Sequence, residues 1–213
     1  MYQAASQPDE HLGTMRPNVL KGYLKNLLDD PNSRKTINAY ELTGPEAVAV
    51  RYYGLEGFQY VQASLRQIED PHLGVPVAPE ETFASLAEEC KGAFAKLPRL
   101  PSGTILFRRS DFLIDKNLQV GAVCKDPAFI STTTDLDVAK KKFSGKYLLK
   151  FINVPEDDER LRDVSTLTGN SKEAEVLGLP SMSYRVVSRG EEEGVGVEQG
   201  TPENPEIITL EFV

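Results

Sequence analysis

Thr104-Ile105-Leu106-Phe107-Arg108 opens the half of the chain whose residue pattern decides the fold. Before Gly103 the apolar residues recur at helical spacing; after it they fall in short runs rich in β-branched and aromatic side chains. Further strand-like runs follow at Asp126-Pro127-Ala128-Phe129-Ile130-Ser131, Tyr147-Leu148-Leu149-Lys150-Phe151-Ile152 and Glu175-Val176-Leu177. Two more stand at Tyr184-Arg185-Val186-Val187-Ser188 and Glu206-Ile207-Ile208-Thr209-Leu210-Glu211-Phe212. Upstream, Val19-Leu20, Tyr23-Leu24 and Leu27-Leu28 repeat as on one helix face and stop at Asp29-Asp30-Pro31. Gly44-Pro45-Glu46 opens a second helix, with Pro45 in the favoured first turn. Residues 58–66 read as a third helix. Residues 83–96 read as a fourth, with Phe83, Leu86, Ala87, Cys90, Phe94 and Leu97 along one side. Helices first and strands second predict an α+β fold rather than an alternating α/β one. The Pro/Gly-containing stretch 71–79 and the polar stretches 156–172 and 189–205 read as loops, the last two long enough to be functional.

Composition narrows the chemistry. The 213 residues carry 24 Lys+Arg against 32 Asp+Glu, a net charge of −8, with two cysteines, two histidines and no tryptophan. A Cys/His zinc site needs about four closely spaced ligands, and Cys90, Cys124, His11 and His72 are scattered. Neither histidine has a recognisable nucleophile nearby in the sequence. The acidic balance disfavours a broad nucleic-acid-binding surface. Apolar runs fall short of the roughly 18–20 residues a membrane span requires, and residues 1–17 lack the pattern of a cleaved secretory signal. No phosphate-binding glycine motif follows a strand, and Gly194-Val195-Gly196 stands in an acidic stretch that would repel a pyrophosphate. The expected organisation is an N-terminal extension over 1–36, a flexible segment plus a short amphipathic helix, and a catalytic domain over 37–213. If the chain is an enzyme, carboxylates, arginine and hydroxyls carry its chemistry.

Three short elements supply such groups in order. Leu106-Phe107-Arg108-Arg109 ends one strand, Phe129-Ile130-Ser131-Thr132-Thr133-Thr134 ends another, and Glu173-Ala174-Glu175-Val176-Leu177 enters a later one. Each alone is weak. Hydroxyl runs usually bond to strand ends, strand-end arginines usually form surface ion pairs, and a Glu pair arises by chance in a Glu-rich chain. Glu191-Glu192-Glu193, which follows Gly190, reads as a solvated loop of that kind. Order and strand context make the combination more specific than its parts.

On these residues the sequence resembles the R-S-E class of mono-ADP-ribosyltransferases, the cholera-toxin-like enzymes. That class shows an aromatic-Arg strand end, an aromatic-x-Ser-Thr-Ser strand end and an E-x-E-Val-Leu strand entry. Here they stand as Phe107-Arg108, Phe129-Ile130-Ser131-Thr132-Thr133 and Glu173-Ala174-Glu175-Val176-Leu177. The resemblance covers about residues 37–213. It extends to the helical region from Ala47 to Arg66 and to the helix from Phe83 to Pro98. It implies N-terminal helices followed by a split, mostly antiparallel two-sheet β core with an NAD cleft. It further implies transfer of ADP-ribose from NAD to a protein arginine, with release of nicotinamide and with no metal.

In that scheme Glu175 would bond the ribose 2′-OH and stabilise the cation that forms as the nicotinamide bond breaks. Glu173, on the same side if the backbone is extended, would orient or deprotonate the guanidinium. Arg108 would meet the phosphate and ribose side of NAD, and Ser131 would hold Glu175. Arg109, Thr132, Thr133 and Phe143 complete the expected NAD contacts. Arg109 stands where the class often has a small residue and would act through its backbone. Phe143 either stacks near nicotinamide or packs in the core, and Lys140-Lys141-Lys142 either contact phosphates or form a solvated helix face. The diphtheria-like branch would need a histidine at Arg108. The stretch 164–172 has no aromatic residue, although relatives often contact the target with one.

The resemblance implies a monomeric bacterial effector or toxin, secreted and acting in the host cell on a host protein with an exposed arginine. Two other readings stay open: a binding module whose NAD pocket is altered, or blocked by residues 1–36, and an NAD glycohydrolase with water as the acceptor. Acidic residues around 156–159 and 191–198 suggest an acidic rim about a basic cleft.

Overall fold

The computed structural model describes residues 17–57, 65, 80–111, 118–156, 158–169, 171–190 and 205–213. These form two compact units, one of the described residues up to Leu97 together with Thr166–Gly169, the other of the remainder from Pro98 onward. The expected helix over 58–66 (Leu65 apart), the loop 71–79, most of the stretch 189–205 with Glu191-Glu192-Glu193, and residues 1–16 lie outside the described residues.

The first unit is helical. It contains α1 (Pro17–Asp29), α2 (Pro31–Ala39), α3 (Gly44–Tyr52) running into a π-helical turn (Tyr53–Gly57), and α4 (Glu80–Lys96). The sequence stops a helix at Asp29-Asp30-Pro31, and the same residues begin another. Asp30 is the N-cap of α2, accepting from the Ser33 backbone N–H at 2.9 Å, and Pro31 fills its first turn. The apolar pattern did not announce α2 because only Ser33 and Ile37 of its residues are buried. α3 begins with a capping box: Thr43 accepts from the Glu46 N–H at 3.3 Å, and Glu46 Oε2 accepts from the Thr43 N–H at 2.7 Å.

Ala47, Val48, Ala49, Val50, Tyr52 and Tyr53 are buried, as are Ala87, Cys90, Ala93, Phe94 and Leu97 of α4 and the residue after it. The expectation for the Phe83 side chain falls outside the described residues. Where α3 and α4 meet, a Cβ on Gly92 would stand 2.8 Å from Glu46 Oε1, so a larger residue there would push the carboxylate aside.

The second unit is a mostly antiparallel sheet. Its strands are β1 (Leu106–Ser110), β2 (Val123–Asp126), β3 (Ile130–Thr133), β4 (Tyr147–Ile152), β5 (Leu161–Asp163), β6 (Glu175–Gly178), β7 (Met182–Gly190) and β8 (Glu206–Phe212). The spatial order is β2-β7-β8-β4-β1-β3-β6-β5, with β4 and β8 parallel and the other neighbouring strands antiparallel. Helix α5 (Leu136–Lys142) follows β3, and α6 (Ser165–Thr168) follows β5. The architecture is thus α+β, with helices ahead of a mostly antiparallel core.

The expected split appears as a narrow joint. β1 and β3 share the single registered pair Phe107↔Thr133, between wings of five and three strands. The core on the sheet includes Leu106, Ile130, Leu149, Val176 and Leu210, with Phe151, Tyr184 and Phe212 packed ring to ring at centroid distances of 5.2 to 5.7 Å.

Two expectations are corrected. The strand read over 126–131 is two strands, β2 ending at Asp126 and β3 starting at Ile130. Pro127 has no N–H for a ladder, and the Asp126 carboxylate accepts from the Ala128 N–H at 3.0 Å, which turns the chain. The long loop read over 156–172 contains β5 and α6 and ends in a 3-10 turn, Ser171–Glu173. In β5 only Leu161 is apolar, yet both Leu161 and Arg162 are buried against β6. An arginine in a buried position hides a strand from any hydrophobic pattern.

Glu46 links the cap of α3 to α4 through an ion pair with Lys96 Nζ at 2.7 Å. Burial raises its pKa, but the Lys96 and Thr43 hydrogen bonds outweigh this and leave it below the ordinary 4.5. A folded-state value below the unfolded one stabilises the fold above pH 4.5, and that contribution is lost as the pH falls further. Glu46→Gln is expected to lower stability at neutral pH by about 1 kcal/mol and to flatten the loss below pH 4.5, as read by denaturant unfolding at a series of pH values.

Candidate functional site

The residues singled out in the sequence converge at the joint between the two wings of the sheet. Ser131 on β3 lies opposite Leu177 on β6, and Thr133 lies opposite Glu175. Because side chains alternate along a strand, Ser131, Thr133, Glu175 and Leu177 share one face. Glu175 is therefore the diagonal neighbour of Ser131, and the Ser131 hydroxyl donates to Glu175 Oε1 at 2.7 Å. Glu175 is buried, 8% exposed, so its carboxylate is held in a fixed position at the start of a strand paired on both edges. From β1, Arg108 reaches across the joint and donates from Nη1 to the Ser131 carbonyl at 3.0 Å. One arginine, one serine and one glutamate are thus linked through the single residue Ser131.

Glu173 arrives differently from the expectation of an extended backbone. It closes the 3-10 turn Ser171–Glu173, and Ala174 takes the left-handed φ of 45° before β6 begins. Strand alternation therefore does not place it. Two contacts do: the Thr133 hydroxyl donates to the Glu173 carbonyl at 2.6 Å, and Lys142 Nζ stands 3.8 Å from Glu173 Oε1. Thr133 also accepts from the Asp135 N–H at 3.0 Å, and Asp135 caps α5 by accepting from the Asp137 and Val138 N–H groups. This one hydroxyl joins β3, the start of α5 and the Glu173 turn.

The other predicted contacts separate. Arg109 alternates away from Arg108 on β1, to the side that Phe107 shares with Thr133. There it is buried and donates from Nη2 to the Gly145 carbonyl at 2.5 Å, and burial lowers the pKa of its guanidinium. The Thr132 hydroxyl is spent on the Val176 carbonyl at 3.0 Å. Phe143 is not a core residue: it caps the end of α5 and is 42% exposed. Lys140, Lys141 and Lys142 are all exposed, with Lys141 paired to Asp137 at 3.0 Å.

The acidic rim expected from 156–159 is also reduced. Asp158 is buried and held by the Arg160 backbone N–H, Nε and Nη2 at 2.8 to 3.0 Å, and Glu159 pairs with Arg99 at 2.8 Å. The residues 191–198 fall outside the description.

Sequence reading passed over Tyr184 and Asp126, both buried. Burial first, then the Asp126 and Cys124 charges, hold the pKa of the Tyr184 hydroxyl far above its ordinary value, while Arg108 and Arg160 pull it down. Arg108 is therefore felt by a buried polar group as well as by Ser131, and a tyrosine inside a strand gives no sequence signal of this. The thiols stand apart from the chemistry. Cys124 is buried, and Cys90 is fully buried with its thiol pushed up to about 12 by burial and then by Glu89. Among the described residues no group of three or more His, Cys, Asp or Glu is placed to hold a metal ion, and no helix is long and apolar enough to cross a membrane.

No family model and no curated protein matches the sequence. Solved structures do match. The chain is similar to the type III effector XopAI from Xanthomonas axonopodis pv. citri, with a TM-score of 0.64 and 16% identity over 99% of this chain and 90% of that one. It is similar to the ADP-ribosyltransferase Vis of Vibrio splendidus, solved with an inhibitor, with a TM-score of 0.62 and 22% identity over 97% of this chain and 90% of that one. It is similar to exoenzyme S of Pseudomonas aeruginosa, solved with human 14-3-3 protein beta and bound to carba-NAD, with a TM-score of 0.61 and 16% identity over 90% of this chain and 88% of that one. What these likenesses share with the chain is the fold, that of bacterial ADP-ribosyltransferases.

The left-handed turn before Glu175 is open to a direct check. Ala174→Gly is expected to leave the fold as stable as wild type or to raise its stability by up to about 1 kcal/mol, whereas the β-branched Ala174→Val lowers it by about 1–2 kcal/mol. Thermal unfolding of the two variants reads the difference.

Proposed function

We propose that the chain is a mono-ADP-ribosyltransferase that takes ADP-ribose from NAD, releases nicotinamide, and attaches the sugar to an arginine of a target protein. The observation that carries this reading is the Ser131 hydroxyl on the buried Glu175 carboxylate at 2.7 Å, with Arg108 bonded to the same serine. Its support is the fold shared with Vis and with exoenzyme S, the latter bound to carba-NAD.

The chemistry suits these groups. Cleavage of the ribose–nicotinamide bond sends the electron pair to the departing nicotinamide and leaves positive charge on the ribose. A buried, pre-oriented carboxylate stabilises that charge without reorganising. Glu175 also accepts from the ribose 2′-OH. Arg108 offers its donor fork to the phosphates. Arg109, Thr132 and Thr133 contribute through the main chain, since their side chains are already engaged within the protein. Phe143, exposed at the end of α5, is available to stack on the nicotinamide ring. A guanidine nitrogen of the acceptor then bonds to the ribose anomeric carbon, and Glu173 takes the proton it sheds. The E-x-E pairing of Glu173 with Glu175 is what favours arginine as the acceptor. None of these steps needs a metal ion.

On this reading residues 37–213 form the catalytic domain and 1–36 an extension to it. The chain works as a monomer, as a secreted bacterial effector or toxin acting on a host protein inside the host cell. A protein target with an exposed arginine is its partner, and nucleic acid is not.

Incubation with labelled NAD and an arginine-rich acceptor tests the reading. Wild type is expected to release nicotinamide and label the acceptor. Glu175→Ala lowers both by roughly 10²–10³-fold, and Glu173→Ala abolishes labelling while keeping nicotinamide release. Release without labelling in wild type would make water the acceptor. No release and no labelling, with Glu175→Ala indistinguishable from wild type, overturns the proposal.

A further inference from the structure

We propose that Arg109 is a positioning residue: by tying the Gly145 carbonyl to β1, it holds Phe143 where a nicotinamide ring can stack on it. The inference rests on the NAD chemistry proposed above. Helix α5 is secured at its start by the Asp135 cap and along its length by the buried Val138 and Ala139. Its end is different. Lys140, Lys141, Lys142, Phe143 and Ser144 are all exposed, Gly145 is the next buried residue, and Lys146 is exposed beyond it. The chain between α5 and β4 is therefore anchored at Gly145.

Two features of β1 fix that anchor. The Arg109 guanidinium donates from Nη2 to the Gly145 carbonyl at 2.5 Å. A Cβ at this position would stand 2.6 to 2.7 Å from the Ser110 backbone N, C and O, which cannot swing aside as a side chain can, so the approach requires glycine. In the ladder, Arg109 lies opposite Leu148 and Ser110 opposite Tyr147. The Arg109 side chain thus reaches past its strand partner to a carbonyl that precedes β4. Arg109 is buried, and burial lowers the pKa of its guanidinium while Asp111 acts the other way. A buried cation is unfavourable unless it is hydrogen-bonded, so Arg109 and the Gly145 carbonyl depend on each other.

Phe143 follows the last residue of α5 directly and stands two residues before the anchor. Its backbone is extended, at φ −112° and ψ 142°, and its ring is exposed. The two ends of this short span set where the ring stands. The preceding residue, Lys142, brings Nζ to 3.8 Å from Glu173 Oε1, which places the end of α5 beside the turn that leads into Glu175. A ring held there in advance meets nicotinamide with little left to order, and a ring on a loosened span loses that advantage.

Calorimetry on the full chain with two probes tests this: carba-NAD, which carries the nicotinamide, and ADP-ribose, which lacks it. Phe143→Ala is expected to weaken carba-NAD about tenfold through loss of a stacked ring, with ADP-ribose within about twofold of wild type. Arg109→Met spares the main chain and is expected to weaken carba-NAD about fivefold, with the same indifference to ADP-ribose. Added to Phe143→Ala, it costs less than about twofold more, because both changes act through one contact. Arg109→Lys keeps a single donor and weakens carba-NAD about twofold; it carries the same comparison should Arg109→Met fail to fold. The chain has no tryptophan, so Phe143→Trp introduces a lone fluorescent reporter, and its anisotropy is expected to fall when Arg109→Met is added. Equal weakening of both probes, unchanged carba-NAD affinity, additive effects of the two changes, or unaltered anisotropy overturns the inference and leaves the NAD reading standing. If wild type binds neither probe, the functional reading fails and the inference with it.

Discussion

The structure turns on the hydrogen bond between the Ser131 hydroxyl and the Glu175 carboxylate. A buried carboxylate is expensive to remove from water unless it is paired and hydrogen-bonded. Here the bond crosses from β3 to β6, in the three-strand wing, while Arg108 reaches the same serine from β1 in the five-strand wing. β1 and β3 share one registered pair, so the side chains at this joint supply contacts that a longer ladder would have supplied through the backbone. The place where the sheet is least held by its backbone is where Arg108, Ser131 and Glu175 meet.

Around that bond the two glutamates are set up in opposite ways. Glu175 is part of a ladder and buried; Glu173 is part of a turn, half-buried, and near a lysine. A group that stabilises developing charge gains from rigidity, because reorganisation during the reaction would forfeit the stabilisation. A group that receives an external partner gains from exposure. Ala174, at φ 45°, is the residue that separates the two environments within a three-residue motif.

Much of this was legible in the residues. The strands at 147–152 and 206–212 stand where their runs of Tyr, Leu, Ile and Phe place them, because both are central strands and bury nearly every second side chain. The helix opened by Gly44-Pro45-Glu46 was equally plain, since its cap is local chemistry. The elements that escaped are those whose stability comes from partners distant in sequence. α2 is polar and is held by Asp30 at its start, β5 buries an arginine against β6, and α6 takes its hydrogen bonds from Ser33 and Arg51. In the site, Arg108, Ser131 and Glu175 could be singled out by order and strand context. The turn that carries Glu173, the exposure of Phe143 and the diversion of Arg109 to Gly145 could not, because each is fixed by tertiary contacts that no local pattern encodes.

The central claim is that NAD sits at the joint where Arg108, Ser131 and Glu175 meet. Calorimetric titration with carba-NAD, which resists cleavage, measures this without relying on turnover. The account predicts one site per chain in wild type, weakened about tenfold or more in Arg108→Ala through loss of a charge-assisted contact. No binding by wild type, or equal affinity in the two proteins, would contradict it.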